Sequence, residues 1–342
     1  MLAAVFEDIG KLSLQNKNIP EIESDNQVKV KVEAASICGS DIHILSEPPT
    51  HPATTGIIQG HEFIGEIVEI GKNVRNVAVG DRVVIDPTVV CGDCFYCKLG
   101  KQNLCENFST IGIFENGGWA PYSVIPSQNV HRISKEVPAE VAVLAEPLSC
   151  VINGSEKLQM SPGDSVVILG AGPMGQLFTQ VQKSTGAGKV IVVDLSDYRL
   201  NYAKESGATH TINPNEQSVE ELVHEITQIG ADIVIDCVGV LFDQALDLVR
   251  KGGKILLVGM NENARPPIKQ FKITQEEITV YGTIIQNNHF PKVIKILESG
   301  MLKLDHLITH QTNLGNIHEA IDIMRTGEAI KIIVYPESEG ED

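Results

Sequence analysis

Residues 161–194 read SPGDSVVILGAGPMGQLFTQVQKSTGAGKVIVVD. This stretch begins with a Pro-Gly turn and an apolar run, Val166 to Leu169, followed by glycines at positions 170, 172 and 175. A helical pattern comes next, and a second apolar run, Val190 to Val193, ends on Asp194. This order of strand, glycine turn, helix, strand and acid predicts a dinucleotide-binding βαβ unit.

Each residue of the glycine turn has a place in such a unit. Gly170 permits the tight turn, Gly172 lets the backbone approach a pyrophosphate, and Gly175 lets the helix pack close to the strand. Free N–H groups at the helix N-terminus, where Pro173 and Met174 lie, attract the phosphates. We therefore expect these five residues to bind the cofactor.

The acid at the end of the second strand indicates which dinucleotide binds. Asp194 lies 19 residues after Gly175, where a carboxylate accepts hydrogen bonds from the adenosine ribose hydroxyls and repels a 2′-phosphate. Arg199 is close enough to serve a phosphate, but we interpret it as a contact on the adenine side. The predicted cofactor is NAD rather than NADP.

The alternation of strands and helices continues after Asp194. Ser196 and Ser218 are predicted helix N-caps, and Gly207 is predicted to end the first of these helices. The remaining predicted elements are the strand 208–213, the helix 218–228, the strand 231–239, the helix 241–253 and the strands 254–259 and 278–285. Such alternation predicts a doubly wound parallel sheet, an α/β Rossmann domain.

Ligands of such sheets lie at the carboxyl ends of the strands. The residues that follow two of the predicted strands should therefore line the nicotinamide side of the site. They are Val238, Gly239, Val258, Gly259 and Met260.

The N-terminal part of the chain has a different pattern. Short alternating segments at 28–35, 65–71 and 81–87 are separated by Gly, Pro, Asn and Asp, which predicts an antiparallel, partly barrel-like β region. Similar strands return after two helical patterns near the C-terminus. We therefore predict a β domain over 1–150, a Rossmann domain over 151–287, and a return to the first domain over 288–342, ending in an acidic tail.

Four of the seven cysteines lie in CGDCFYCKLGKQNLC, residues 91–105. They are Cys91, Cys94, Cys97 and Cys105. The segment is otherwise polar and could not bury them as apolar side chains. Four soft thiolates suit a closed, tetrahedral structural zinc, and an iron–sulfur cluster is the alternative.

Composition limits the possible partners and compartments. The chain has 342 residues and a formal net charge of −17, which argues against binding a nucleic-acid phosphate backbone. The N-terminus lacks a basic segment before an apolar core, and no run of about 18 uncharged apolar residues occurs. We expect a protein of the cytoplasm that binds neither membranes nor nucleic acid.

Three further motifs accompany the cysteine segment. GHEFIGEIVEIGKNV, residues 60–74, is followed by GDRV, and ICGSDIH occupies 37–43. Together they resemble the zinc-containing medium-chain alcohol dehydrogenases, in the order which that family has them. The resemblance implies a GroES-like β domain interrupted by the Rossmann domain. It also implies a catalytic zinc in the cleft between them and a structural zinc in the cysteine lobe, two zinc ions per chain.

The same resemblance implies the residues around the catalytic zinc. Cys38 and His61 match its ligands, and Glu62 matches a glutamate that binds the metal in some members. Glu146 stands in an EPLS motif that resembles the polyol branch, which includes sorbitol, xylitol and butanediol dehydrogenases, where it binds the zinc or holds its water. Which glutamate binds the metal directly stays open.

Two residues near Cys38 match the family's proton relay. Ser40 matches its hydroxyl, and His43 matches its histidine, with a cofactor ribose hydroxyl between them. A histidine with a pKa near 6.5 is suited to pass the proton to water.

The predicted activity is therefore oxidation of a secondary hydroxyl of a polyol or sugar alcohol, with hydride transfer to NAD⁺. Alternatives are an amino alcohol, as in the threonine dehydrogenases, or a short vicinal diol. A non-enzymatic zinc ribbon that binds nucleic acid is opposed by the charge and by the dinucleotide unit. The resemblance implies a homotetramer or a homodimer.

Overall fold

A computed structural model describes residues 1–336 of the protein. All but the first residue of the predicted acidic tail, 336–342, lies outside the described residues. The chain forms two compact units. The first contains Met1–Ser149, Gln286–Gly300 and the chain from Ile308 onward, and the second contains Cys150–Ile285 and Met301–Leu307.

The strands, in chain order, are β1 (Leu2–Asp8), β2 (Lys11–Asn16), β3 (Gln27–Ser36), β4 (Phe63–Ile70), β5 (Arg82–Ile85), β6 (Thr88–Val89), β7 (Ser109–Thr110), β8 (Tyr122–Pro126), β9 (Val130–Arg132), β10 (Ser165–Leu169), β11 (Lys189–Val193), β12 (His210–Ile212), β13 (Ala231–Asp236), β14 (Val249–Leu257), β15 (Thr279–Gly282), β16 (Ile308–Asn313) and β17 (Lys331–Tyr335).

The α-helices are α1 (Gly39–Ile44), α2 (Phe95–Lys98), α3 (Ala139–Ala142), α4 (Ala145–Leu158), α5 (Pro173–Ser184), α6 (Asp197–Glu205), α7 (Val219–Thr227), α8 (Phe242–Leu248), α9 (Gln270–Gln275), α10 (Phe290–Ser299) and α11 (Ile317–Thr326). Short 3₁₀ turns occupy Gln102–Leu104, Ser127–Asn129, Asp305–Leu307 and Leu314–Asn316.

The first unit is built on a seven-stranded sheet. Its order is β16-β17-β3-β4-β5-β9, with β8 also pairing β3. All pairs are antiparallel except β16 with β17, which confirms the predicted antiparallel β region. The late strand β17 pairs with the early strand β3, with Ile333 opposite Ser36.

Alternation in β3 gives this unit its core. Val28, Val30 and Val32 are buried on one face of the strand, because successive side chains point to opposite faces. They belong to a core cluster that includes Trp119, which is fully buried. The cluster supports the segments that carry the metal ligands described below.

The second unit is built on a six-stranded parallel sheet in the order β12-β11-β10-β13-β14-β15. Counted within the unit, this is the strand order 3-2-1-4-5-6 of the Rossmann fold, as predicted. The order reverses between β10 and β13, and ligands bind at the carboxyl ends on either side of that reversal.

The glycine turn after β10 has the predicted geometry. Gly170 has a φ of 96°, a left-handed conformation that favours glycine. A Cβ atom on Gly175 would lie 1.8 Å from the carbonyl oxygen of Gly170. Any side chain at position 175 would therefore push α5 away from the turn.

The predicted N-caps are confirmed. The Ser196 hydroxyl accepts a hydrogen bond from the backbone N–H of Arg199 at the start of α6. The Ser218 hydroxyl accepts one from the N–H of Glu221 at the start of α7. These bonds satisfy donors that the first helical turn leaves without partners.

Several predicted boundaries are wrong, among them that of the strand expected over 278–285, which ends at Gly282. The helix expected over 241–253 ends at Leu248, and β14 begins at Val249, because Val249 already pairs with Ala231 of β13. The strand expected over 231–239 ends at Asp236. Its carboxylate accepts hydrogen bonds from the backbone of the turn that follows, at Val238, Gly239 and Leu241.

Within 1–336, no helix combines the length and the apolar character that crossing a bilayer requires.

Candidate functional site

Three predicted metal ligands meet in the first unit. The ligand atoms of Cys38, His61 and Glu62 lie within 4.8 Å of one another, and we call these residues the mixed cluster. Cys38 is the N-cap of α1, and the other two residues immediately precede β4. The structure thus joins two segments that are more than 20 residues apart in the sequence.

His61 is held between two side chains of α1. Its Nε2 lies 3.2 Å from the Ser40 hydroxyl, and its Nδ1 lies 3.4 Å from Asp41 Oδ1. Burial lowers the pKa of His61, but the negative charges of Asp41 and Cys38 outweigh it and raise this pKa well above 6.5. The site therefore attracts positive charge.

Glu62 is fully buried and has two differently placed oxygens. Its Oε2 accepts hydrogen bonds from the Ser36 hydroxyl and the Lys331 ammonium, whereas its Oε1 has no partner. Burial raises the pKa of Glu62, but Lys331 outweighs it and lowers this pKa below its usual range. The glutamate is a carboxylate with one unused oxygen.

Lys331 is buried with it, and only 2% of its side chain is exposed. Its ammonium also donates to the carbonyl oxygen of Ile37, over 3.3 Å. Burial lowers its pKa, yet the charges of Glu62 and Cys38 raise it above 10.5. An ion pair this deep is maintained only with good geometry and further hydrogen bonds, which both partners have.

The mixed cluster fits a catalytic zinc. Thiolate, imidazole and carboxylate are zinc ligands, and three protein ligands leave a position open for water or substrate. Three buried atoms at this site lack hydrogen-bond partners, Asp41 Oδ1, His61 Nδ1 and Glu62 Oε1. A carboxylate facing the second nitrogen of a histidine ligand is a common support of metal sites.

Glu146 lies near the mixed cluster rather than within it. Among the described residues, the group of ligand atoms within 4.8 Å does not include it. It lies in the first turn of α4 and is 9% exposed. Its charge contributes to raising the pKa of Lys331, which places both glutamates within the influence of one ammonium.

The predicted relay residues both lie on α1. Ser40 contacts His61, whereas the Nδ1 of His43 lies 2.9 Å from the Thr50 hydroxyl. Burial, followed by repulsion from His51, lowers the pKa of His43. Ser40 therefore lies against a predicted zinc ligand, whereas His43 is paired with Thr50.

The second metal group is the cysteine cluster, Cys91, Cys94, Cys97 and Cys105, whose sulfur atoms also lie within 4.8 Å. The Sγ of Cys105 lies 3.5 Å from that of Cys91 and 4.0 Å from that of Cys94. Backbone N–H groups of Cys97 and Glu106 lower the pKa of the Cys94 thiol to about 6. Four converging sulfurs suit a closed tetrahedral zinc site.

In the second unit, Asp194 is fixed against the glycine turn. Its Oδ2 accepts a hydrogen bond of 2.7 Å from the N–H of Ala171, and its Oδ1 accepts one of 2.9 Å from Ser196. Gly172 is the N-cap of α5, Pro173 is its first residue, and Met174 follows. Helix N-terminus and carboxylate thus lie at one end of the sheet, as a dinucleotide requires.

The five residues predicted on the nicotinamide side follow β13 and β14. Val238 is 46% exposed and Met260 is 62% exposed. A Cβ atom on Gly259 would lie 2.3 Å from the backbone nitrogen of Gly239, so the two turns approach closely. Val258 donates its N–H to the carbonyl oxygen of Asp236.

Sequence reasoning missed Asp41, Lys331 and Asp236. Asp41 follows Cys38 by three residues, the spacing of a capping box, and its carboxylate accepts the Cys38 N–H at 2.9 Å. Lys331 is the single charged residue in the apolar run AIKIIVY, and charged residues in such runs are seldom buried without a partner. Only the fold reveals that its partner is Glu62.

Comparison with known families covers most of the chain. Residues 24–135 match the alcohol dehydrogenase GroES-like domain, and residues 173–299 match the zinc-binding dehydrogenase domain.

Full-length relatives have the same organisation. The chain is 35% identical to sorbitol dehydrogenase from Bacillus subtilis over 344 residues, covering 98% of this chain and 97% of that protein. It is 34% identical to L-threonine 3-dehydrogenase from Caldanaerobacter subterraneus over 349 residues, covering 98% and 99%.

Solved structures of dehydrogenases have the same fold. A zinc-binding dehydrogenase from Sinorhizobium meliloti bound to NADP superposes with a TM-score of 0.92 at 31% identity, covering 98% of this chain and 99% of that one. The alcohol dehydrogenase rspB from Escherichia coli CFT073, complexed with NADH, gives a TM-score of 0.91 at 33% identity, with the same coverage. The chain therefore belongs to the zinc-containing medium-chain alcohol dehydrogenases and is a zinc- and nicotinamide-dependent oxidoreductase.

Proposed function

We propose that the protein oxidises a secondary hydroxyl of a polyol or sugar alcohol to the ketone, with hydride transfer to NAD⁺. The observation that carries the proposal is Glu146, a second buried carboxylate, whose charge acts on the Lys331 ammonium that is paired with Glu62. Adjacent hydroxyls of a polyol need several acceptors, which a simple alcohol would leave unused. The similarity to a protein named sorbitol dehydrogenase supports the same substrate class.

In this proposal Cys38, His61 and Glu62 would hold the catalytic zinc, Glu62 through its unused Oε1. Bound there, zinc supplies a Lewis acid that polarises a substrate hydroxyl and makes its proton easier to remove. Lys331 and Ser36 orient Glu62 from the other oxygen, and Asp41 orients the imidazole. The four cysteines of the cysteine cluster would hold a second, structural zinc.

Glu146 would accept a hydrogen bond from a substrate hydroxyl or a water beside the reacting one. Its first-turn position in α4 and its low exposure limit the directions in which it can reach. The hydroxyl of Ser40 would take the substrate proton and His43 would deliver it to solvent. The lowered pKa of His43 keeps the imidazole neutral, and so able to accept a proton, at pH 7.

NAD would bind at Gly170, Gly172, Pro173, Met174 and Gly175, with Asp194 on the adenosine ribose and Arg199 on the adenine side. Val238, Val258, Gly259 and Met260 would line the nicotinamide side. Both oxygens of Asp194 are already fixed by backbone N–H groups, so the carboxylate is held ready for ribose hydroxyls. A 2′-phosphate would meet its negative charge.

The proposed domains are a GroES-like domain over 1–150 with a lobe at about 91–105, the Rossmann domain over 151–287, and a return from 288. The two compact units support this division, except that Met301–Leu307 belongs to the second unit. We also propose a homodimer or homotetramer in the cytoplasm. The compartment is supported by the cysteines, none of which forms a disulfide within residues 1–336, as a reducing environment favours.

A substrate panel tests the activity. Sorbitol, xylitol, galactitol, 2,3-butanediol, threonine, ethanol and 2-propanol are each offered with NAD⁺ or NADP⁺, and reduced nicotinamide is followed by absorbance. Polyols with NAD⁺ should give the highest kcat/KM. A best rate with ethanol would contradict the polyol assignment, and a best rate with NADP⁺ would contradict the assignment of Asp194.

The panel also decides the second candidate, an amino alcohol. The buried carboxylate of Glu146 would accept hydrogen bonds from the ammonium of threonine as readily as from a hydroxyl, and the chain is similar to a threonine dehydrogenase. Threonine as the best substrate would replace the polyol proposal while leaving the site assignments in place.

A further inference from the structure

A buried glutamine in the second unit joins the glycine turn to the helix after Asp194. Gln176 on α5 is 0% exposed. Its Nε2 donates one hydrogen bond to the carbonyl oxygen of Ala171, over 2.9 Å, and another to that of Arg199, over 3.0 Å. Both hydrogens of the amide are therefore used on backbone, one in the turn and one in α6.

Ala171 connects Gln176 with Asp194, the acid proposed to bind the adenosine ribose. Its N–H donates to Asp194 Oδ2 over 2.7 Å, and its carbonyl oxygen accepts from Gln176. Ala171, the middle residue of the turn, is thus hydrogen-bonded through both its N–H and its carbonyl oxygen. Because Gln176 also holds the carbonyl of Arg199, the turn, the carboxylate and the first helical turn of α6 form one hydrogen-bonded unit.

The network continues through Ser206 to the segment Met301–Leu307, which belongs to the same compact unit. The Ser206 hydroxyl donates to Gln176 Oε1 over 2.9 Å. Having only one hydrogen, it must accept from His306 Nε2, which lies 2.9 Å away. His306 in turn stacks on Tyr202 of α6, with a ring-centroid distance of 6.4 Å.

We propose that Gln176 is a positioning residue for the adenosine end of NAD, and that it sets the preference for NAD over its 2′-phosphorylated form. The proposal rests on the proposed function, because it assumes that Asp194 binds the ribose. Without the amide, two carbonyl oxygens each lose a donor, and that of Ala171 is part of a fully buried residue. The turn would shift to recover partners, taking its bond to Asp194 with it.

The chain provides a matched control on the same helix. Gln180 lies one turn further along α5, is 5% exposed, and donates its Nε2 to the carbonyl oxygen of Lys303 over 2.5 Å. It shares residue type, helix and partner segment with Gln176 but has no bond to the glycine turn. Both Gln176→Leu and Gln180→Leu should therefore lower the free energy of unfolding, Gln176→Leu more, because it removes three hydrogen bonds instead of one.

Only Gln176→Leu should change nucleotide binding. We expect its Kd for ADP-ribose, measured by calorimetry, and its KM for NAD⁺ to rise on the order of tenfold, the effect of about one lost buried hydrogen bond. The kcat should stay within about twofold, and the kcat/KM ratio of NAD⁺ to NADP⁺ should fall. Gln180→Leu should leave all of these at the wild-type values.

Equal nucleotide binding by the two variants would overturn the proposal, whatever their stability. If Gln176→Leu does not fold, Ser206→Ala provides the test, because it keeps both amide donors but frees Oε1. It should raise the Kd for ADP-ribose about threefold, as expected for a weakened hydrogen bond, and an unchanged Kd would equally overturn the proposal. A wild type that binds ADP-ribose as described but oxidises no polyol would contradict only the proposed substrate.

Discussion

The two metal groups of the first unit differ in how the chain builds them. The cysteine cluster comes from a single segment of 15 residues, and its ligands are all of one type. The mixed cluster brings together Cys38, at the start of α1, with His61 and Glu62, just before β4, and Lys331 of β17 pairs with its glutamate. It combines a thiolate, an imidazole and a carboxylate. One is assembled locally, and the other depends on the complete fold.

The two clusters therefore suit different metal ions, one structural and one catalytic. Four thiolates close the coordination sphere and leave nothing for a substrate, so the cysteine cluster suits stabilisation of its lobe. The mixed cluster has three ligands, buried atoms without partners and an acid nearby, so it suits chemistry. Stability should therefore depend on the first group and turnover on the second.

The largest effect on stability should come from Cys94→Ala. The protein should lose one of two zinc ions, and residues 91–105 should become sensitive to proteolysis. Structural zinc contributes on the order of 10 kcal/mol in isolated zinc fingers, which sets the upper limit here. Metal analysis and limited proteolysis measure the change, and iron with sulfide in the wild type would instead indicate an iron–sulfur cluster.

The opposite result is expected for Cys38→Ala. The other zinc should be lost and turnover should fall by at least about a thousandfold, because the metal supplies several kcal/mol of transition-state stabilisation. The melting temperature should change much less than in Cys94→Ala. If the two cysteine variants lost activity and stability in equal proportion, the division of roles would be wrong.

Lys331→Met tests the support of the mixed cluster. It keeps the length of the side chain but leaves the Glu62 carboxylate buried without its counter-charge, which costs about 3–5 kcal/mol of unfolding free energy. The matched control is Lys135→Met, because Lys135 pairs with Glu66 at 2.8 Å with side chains 64% and 48% exposed. Such exposed pairs contribute about 1 kcal/mol or less, and denaturant titration measures both.

The smallest of these effects is expected for Glu146→Ala. Polyol kcat/KM should fall on the order of a hundredfold, as when the support of a metal ligand is removed, while ethanol should lose little. Zinc content should stay near that of the wild type if Glu62 is the direct ligand. Loss of the catalytic zinc in Glu146→Ala, but not in Glu62→Ala, would reverse the roles of the two glutamates.

Local patterns predicted the parts of the molecule that local physics determines. The glycine turn, the N-caps at Ser196 and Ser218 and the parallel sheet depend on neighbouring residues and on periodicity, so the sequence contains their signals. The end of α8 at Leu248 was missed, because Val249 joins β14 through pairing with a distant strand. No local pattern encodes that choice.

The same distinction applies to the site. The spacing of the cysteine cluster predicts a metal site, and the motifs around Cys38 and His61 indicate a catalytic site by resemblance. Lys331 lies 269 residues from Glu62, and the sequence around Lys331 does not indicate that Glu62 is its partner. Burial and charge compensation are properties of the folded chain.

The position of Lys331 on β17 has a consequence for synthesis. Glu62 leaves the ribosome long before its counter-ion: 269 residues separate them, roughly 13 to 54 s at translation rates of about 5–20 residues per second. During that interval the β3–β4 pair can form, but its carboxylate has no ammonium to pair with. The ion pair between Glu62 and Lys331 therefore cannot form until β17 has been synthesised. Until then, the mixed cluster lacks the buried ammonium that supports it.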